Sequence, residues 1–164
     1  MSHEIRVLAA IQRRTGAPAA VRAARALSLA GEHAGAWLAL AGAGAVVDRP
    51  RRASWLRAGA AVLVSHGASV VLKRVVRRVR PEHASVLTQV GVPSRWSFPS
   101  SHATSTTTAA LVLAPLLGGR AWAALPPAMA WSRLLLGVHY PSDVLAGTAL
   151  GALVGAASRR LEQR

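Results

Sequence analysis

Three separated clusters in this chain hold residue types suited to phosphate: Lys73 with Arg80-Pro81, then Pro99-Ser100-Ser101-His102, then Ser132-Arg133 followed by His139 and Asp143. Lys73, Arg80 and Arg133 can neutralise nonbridging oxygens, and the arginine fork suits bidentate binding. Two imidazoles and a carboxylate complete a set able to break a phosphate ester: one imidazole attacks phosphorus and the other protonates the departing alkoxide. The six histidines show no metal-ligand spacing such as His-Glu-x-x-His, and cysteine is absent. No metal and no cofactor is therefore expected, and the redox compartment stays open.

The order and internal spacing of the clusters resemble the three-part signature of the type 2 phosphatidic acid phosphatase superfamily. That family includes lipid phosphatases, polyprenyl pyrophosphate phosphatases and vanadium haloperoxidases. Lys73, six residues, then Arg80-Pro81 match its first part. Pro99, Ser100 and His102 match the second, with Ser101 where glycine is usual. Ser132-Arg133, five residues, His139, three residues, then Asp143 match the third in full. The resemblance covers residues 73–143.

It implies that His139 is the nucleophile, forming a phosphohistidine. Asp143 would then hold the other ring nitrogen and fix the tautomer. His102 becomes the general acid, and later the base that activates water. Lys73, Arg80, Ser100 and Arg133 would bind the phosphate, and Ser101 keeps the backbone amide that a glycine would offer at a helix start. Taken alone, His-Tyr-Pro-Ser-Asp also reads as a helix cap, and Ser100 as an N-cap with an incidental histidine. Arg74, Arg77 and Arg78 read as a basic helix end facing water or lipid headgroups.

These clusters must be positioned by hydrophobic elements. The 164 residues combine 52% hydrophobic content and a mean hydropathy of +0.32 with a net charge of +14. Apolar and basic residues must therefore be segregated, as in membrane spans with basic ends. A soluble nucleic-acid binder is disfavoured, because apolar stretches of near-spanning length separate the arginines. The expected fold is an all-α integral membrane protein forming one domain over residues 1–164. Residues 1–26 carry five arginines and read as a retained, interfacial amphipathic segment rather than a signal peptide. A transmembrane core over 27–157 holds about five helices, at 27–47, 56–76, 100–117, 120–138 and 141–157, and residues 158–164 form a basic tail. Residues 82–99 read as a loop, and the fourth helix is expected to bend at Pro126-Pro127. This order brings four helix ends carrying the clusters to one membrane face. Trp55 and Trp122 would anchor the far interface and Trp96 the near one, with core packing the alternative for each.

Glu32 and His33 fall near the catalytic end of the first span, where ionisable groups are costly. They line the substrate pocket or satisfy an interhelical hydrogen bond. His66, seven residues before Lys73, lies deeper on nearly the same face and reads as a polar contact between helices. The membrane character points to a phosphorylated lipid substrate in the bilayer, not to nucleic acid; oligomeric state is not encoded here.

Gly31-Glu32-His33, Lys73-Arg74-Val75-Val76-Arg77-Arg78 and the run from Ser97 to Ser105 are similar to the branch of the family that removes the 5-phosphate from polyprenylphosphoryl ribose. That resemblance implies a hydrolase of cell-wall arabinan precursor synthesis. The alternatives are an undecaprenyl or decaprenyl pyrophosphate phosphatase, a phosphatidate phosphatase, or a noncatalytic lipid-binding or flipping protein. A multi-pass plasma-membrane location follows. The catalytic side carries twelve Lys and Arg against eight on the far side, or nine against eight without the phosphate ligands, a count that votes for a cytoplasmic catalytic face.

Overall fold

The computed structural model describes residues 1–162. Seven α-helices follow one another: α1 (His3–Thr15), α2 (Pro18–Ala30), α3 (Gly35–Val47), α4 (Arg52–Val76), α5 (Ser101–Leu117), α6 (Leu125–Leu135) and α7 (Pro141–Glu162). Short 3-10 turns precede α3, α4 and α6. The described residues contain no strand, only isolated bridges such as Val79 with Trp96 in the loop after α4.

Local chemistry sets most helix starts. Ser2 caps α1 through its hydroxyl, and Ser100 caps α5, accepting from the Ala103 amide at 3.4 Å. Proline opens α2 and α7, where a missing amide proton costs nothing. Helix α5 runs through the centre, packed against α4 and α7. Its hydroxyl-rich first half is buried, yet Thr104, Ser105 and Thr108 donate to carbonyls one turn back at 3.0 to 3.1 Å. Thr108 also reaches the Gly151 carbonyl at 3.0 Å. The close approach of α7 needs Gly147, Gly151 and Gly155, since a Cβ at Gly151 would collide with the Thr104 carbonyl oxygen. Trp37, Trp55, Val62 and Leu113 fill an apolar core between α3, α4 and α5.

Several expected boundaries move. The first expected span, 27–47, is broken: residues 27–30 end α2, and His33 and Ala34 take left-handed φ values of 51° and 59° before α3 begins. Hydropathy is blind to this reversal, which occupies a turn flanked by Gly31 and Gly35. Pro126 and Pro127 do not bend a helix from 120 to 138. They open α6, which ends at Leu135, because proline is tolerated in a first turn and not inside. Helix α7 runs beyond Ala157 through Ser158, Arg159 and Arg160, residues that charge a helix without breaking it, so the expected tail is helical to Glu162. The rest of that tail, 163–164, lies outside the described residues. Trp55 is no interfacial anchor. It is 3% exposed, packs against Gly44 and donates to Asp48 at 2.9 Å. One helix, with its leading turn (Arg49–Val76), is long and apolar enough to cross a membrane among the described residues. At 13 and 11 residues, α3 and α6 are shorter than a full crossing.

Candidate active site

Five chain segments converge on one cavity of about 410 Å³: the end of α2 with its following turn, the end of α4, the loop to α5, the start of α5, and the link from α6 to α7. Lys73, Arg80, Ser101, His102, Arg133 and His139 all line it, as do Glu32, His33 and His66. The three sequence clusters thus meet in space.

His139 is 2% exposed in the link after α6. Its Nε2 lies 3.2 Å from Arg80 Nη1, which also donates to the Val138 carbonyl at 2.6 Å. A guanidinium only donates, so Nε2 presents its lone pair and the neutral ring carries its proton on Nδ1. Burial, and then the cations Arg133, Arg80 and Lys73, hold the His139 pKa well below its ordinary value. The neutral ring needed for attack is therefore the resting form. Burial pushes Arg80 down to about 10, and it stays charged near neutrality.

Asp143 departs from its expected place. Its Oδ2 is 3.7 Å from His139 Nδ1, beyond hydrogen-bond range, and that nitrogen has no partner. Both carboxylate oxygens are engaged elsewhere: Oδ2 accepts from the Tyr140 amide at 2.8 Å, and Oδ1 from Arg78 at 2.9 Å. Asp143 thus caps the start of α7 from its third position, as the capping reading has it, and makes no hydrogen bond to the His139 ring.

Arg78 was expected to face water or headgroups, and it does not. It donates to Asp143, to Ser142 Oγ at 2.6 Å and to Glu4 at 2.5 Å, and lies 3.9 Å over the Tyr140 ring. Glu4 also accepts from the Ser142 amide at 3.0 Å and its hydroxyl at 2.7 Å. Burial alone would raise the Glu4 carboxyl, but these bonds hold it below its usual range. A buried carboxylate supplies the reason: with a proton donor on each side, fully enclosed Asp143 needs a cation, and Arg78 is the one within reach.

The remaining groups fall as follows. Lys73 donates to the Pro99 and Ser97 carbonyls at 2.7 and 3.2 Å. Arg133 is 2% exposed; it donates to the Ser28 hydroxyl, and its Nε has no partner. His102 Nε2 is 3.0 Å from the Ser28 carbonyl, which can only accept, so Nδ1 is its free nitrogen. Ser100 is spent on its cap and does not line the cavity. Ser101 does, with a buried hydroxyl that has no partner. Glu32 and His33 are exposed at the cavity with 3.9 Å between them. His66 Nδ1 is buried without a partner, and its ring stands 6.4 Å from that of His33, so it faces the cavity instead of bridging helices. Sequence reasoning missed Ser28, Glu4 and Ser142. A serine in an otherwise apolar stretch of α2 was the one available signal.

Residues 54–164 match the PAP2 superfamily. The chain belongs to that superfamily. It is 55% identical over 142 residues to the decaprenylphosphoryl-5-phosphoribose phosphatase of Mycolicibacterium smegmatis, covering 86% of this chain and 79% of the relative. Identity to the protein of the same name from Mycobacterium tuberculosis is 50% over 154 residues, 93% of this chain and 87% of that one. The PAP2 fold is also seen in the crystal structure of the first transmembrane PAP2 type phosphatidylglycerolphosphate phosphatase from Bacillus subtilis. It superposes with a TM-score of 0.75 over 96% of this chain and 85% of that one, at 23% identity. All three phosphate-handling clusters lie inside the PAP2 match. Glu4, Ser28 and the Glu32-His33 turn lie before it.

Proposed function

We propose that this PAP2 protein is an integral membrane lipid phosphatase that hydrolyses a phosphomonoester through a phosphohistidine on His139. The carrying observation is His139 Nε2 lying 3.2 Å from the Arg80 guanidinium in a cavity lined by Lys73, Arg133 and His102. The terminal phosphate sits among Lys73, Arg80 and Arg133, with Ser101 in contact and Ser100 shaping the helix start. Nε2 attacks phosphorus in line with the leaving oxygen while His102, protonated on both ring nitrogens and held through Nε2 by the Ser28 carbonyl, gives that oxygen its Nδ1 proton. Asp143 stabilises the positive charge that appears on the His139 ring, 3.7 Å away, and His102 then takes a proton from the water that releases phosphate. No metal or cofactor enters this scheme.

The substrate is polyprenylphosphoryl-5-phosphoribose, cleaved to polyprenylphosphoryl-ribose in cell-wall arabinan precursor synthesis. The names of relatives at 50 to 55% identity support it, as do Glu32 and His33, polar partners for sugar hydroxyls at the cavity. The chain acts as one domain in the plasma membrane. Helix α3 with its flanking turns, α4, α5, α6 with its preceding turn, and α7 make five passes, α1 and α2 lie at the interface, and the site faces the cytoplasm.

The test is phosphate release by the purified protein, in neutral detergent with EDTA, from three lipids: polyprenylphosphoryl ribose 5-phosphate, polyprenyl pyrophosphate and phosphatidate. The first is expected to be cleaved fastest, and His139→Ala to cleave none. A preference for pyrophosphate or phosphatidate overturns the substrate, and absence of release from all three leaves the lipid-binding or flipping reading.

A further inference from the structure

The cavity carries five cations, Arg25, Lys73, Arg74, Arg80 and Arg133, against the single carboxylate of Glu32. Lys73, Arg80 and Arg133 surround His139 and suffice for one phosphate. Arg25 and Arg74 have no part in that chemistry. Arg25 is held by one atom, its Nε donating to the Gln89 carbonyl at 2.8 Å, and its terminal nitrogens have no partner among the described residues. The Arg74 guanidinium makes no hydrogen bond or ion pair among them.

Each of these arginines shares a helix face with an aliphatic residue that also lines the cavity: Arg25 with Leu29 on α2, and Arg74 with Val70 on α4. Residues four apart lie one above the other, so two helices present the same pairing of cation and hydrocarbon. That pairing complements an anion with a hydrocarbon tail attached, which differs from a terminal phosphate.

We propose that Arg25 and Arg74 form a second anion subsite, which binds the phosphodiester joining sugar to hydrocarbon tail while Lys73, Arg80 and Arg133 hold the terminal phosphate. The proposal rests on the reading that the substrate is polyprenylphosphoryl ribose 5-phosphate, whose two phosphates are separated by one sugar ring. A lipid with a single terminal phosphate leaves the subsite empty. The subsite thereby selects the two-phosphate lipid.

The experiment compares wild type with Arg25→Gln, Arg74→Gln and the double variant in neutral detergent micelles, where no anionic surface competes. For polyprenylphosphoryl ribose 5-phosphate, kcat/KM should fall roughly tenfold or more in the double variant, mostly through KM, as expected when hydrogen bonds to a charged group are lost. For phosphatidate it should not change. Equal losses on both lipids, or no loss on either, overturn the subsite. A separate arm uses polyprenylphosphoryl ribose, which keeps only the diester, as inhibitor of phosphatidate hydrolysis. Its inhibition constant should rise at least about tenfold in the double variant. An unchanged constant overturns the subsite even if the sugar lipid is the best substrate. A raised constant in an enzyme that cleaves the sugar lipid poorly keeps the subsite and discards the substrate.

Discussion

Replacing Arg78 by Gln removes the cation from a carboxylate that has no access to water. Asp143 is 0% exposed, and Arg78 Nη1 at 2.9 Å is its charged partner. Breaking a fully buried pair from one side costs about 3 to 5 kcal/mol. Arg78 and Glu4 are 31% and 29% exposed, so water can replace part of the lost bonding, and about 2 to 3 kcal/mol is the better expectation. The same change frees the carboxylate to turn away from His139, and a loss of about 2 kcal/mol in transition-state stabilisation corresponds to roughly thirtyfold in rate. A double-mutant cycle separates this pair from general damage. In an Asp143→Asn background the buried carboxylate is gone, so Arg78→Gln should cost far less, giving a coupling of about 2 kcal/mol. Thermal unfolding in detergent and lipid turnover are measured for all four proteins, with Arg77→Gln as control. Arg77 is exposed and reaches back only to the Arg74 carbonyl, at 2.9 Å. Should Arg78→Gln behave like Arg77→Gln, or show the same cost with and without the Asp143 charge, the argument for a positioning cation is wrong.

Stability should decline as pH falls below about 6.5, because the unfolded chain takes a proton that folded His139 refuses; up to about 1.4 kcal/mol is lost per pH unit. Unfolding midpoints between pH 7.5 and 5.0 should fall less steeply for His139→Gln, and parallel curves would contradict the buried neutral ring. His102→Ala should lose most of its rate on natural lipids but recover much of it on an aryl phosphate whose leaving group needs no proton; equal loss on both would remove His102 from the acid role. Gly151→Ala should destabilise by about 1 to 3 kcal/mol, since its Cβ meets the Thr104 carbonyl, whereas Gly67→Ala, with open space around it, should gain up to about 1 kcal/mol in helix propensity. Denaturation of the two variants side by side checks the α5 and α7 contact.

The cations and imidazoles that meet at the cavity were legible because chemistry constrains them by type and spacing. Lys73, Arg80, His102, Arg133 and His139 come together as the clusters imply. What holds them was not legible, for a physical reason. Arg74, Arg77 and Arg78 are indistinguishable as a run of charge, and only the folded chain shows that Arg78 turns inward to Asp143 while Arg77 ends α4 with a φ of 51°. Helix content was readable from apolar runs, but the break at His33 and Ala34 was not, since left-handed backbone at a non-glycine residue leaves no trace in hydropathy. Ser101 stands in the sequence only as a departure from glycine, and nothing there shows that its hydroxyl is buried without a partner.

The bond from Ser142 to Glu4 joins residues 138 positions apart. During synthesis, α1 leaves the ribosome well before α7, and the Glu4 acceptor waits until Ser142 emerges. The PAP2 match begins only at residue 54, yet the start of α7 inside it is braced by Glu4, fifty positions before the match begins. Loop closure across these 138 positions must therefore precede the brace at the start of α7.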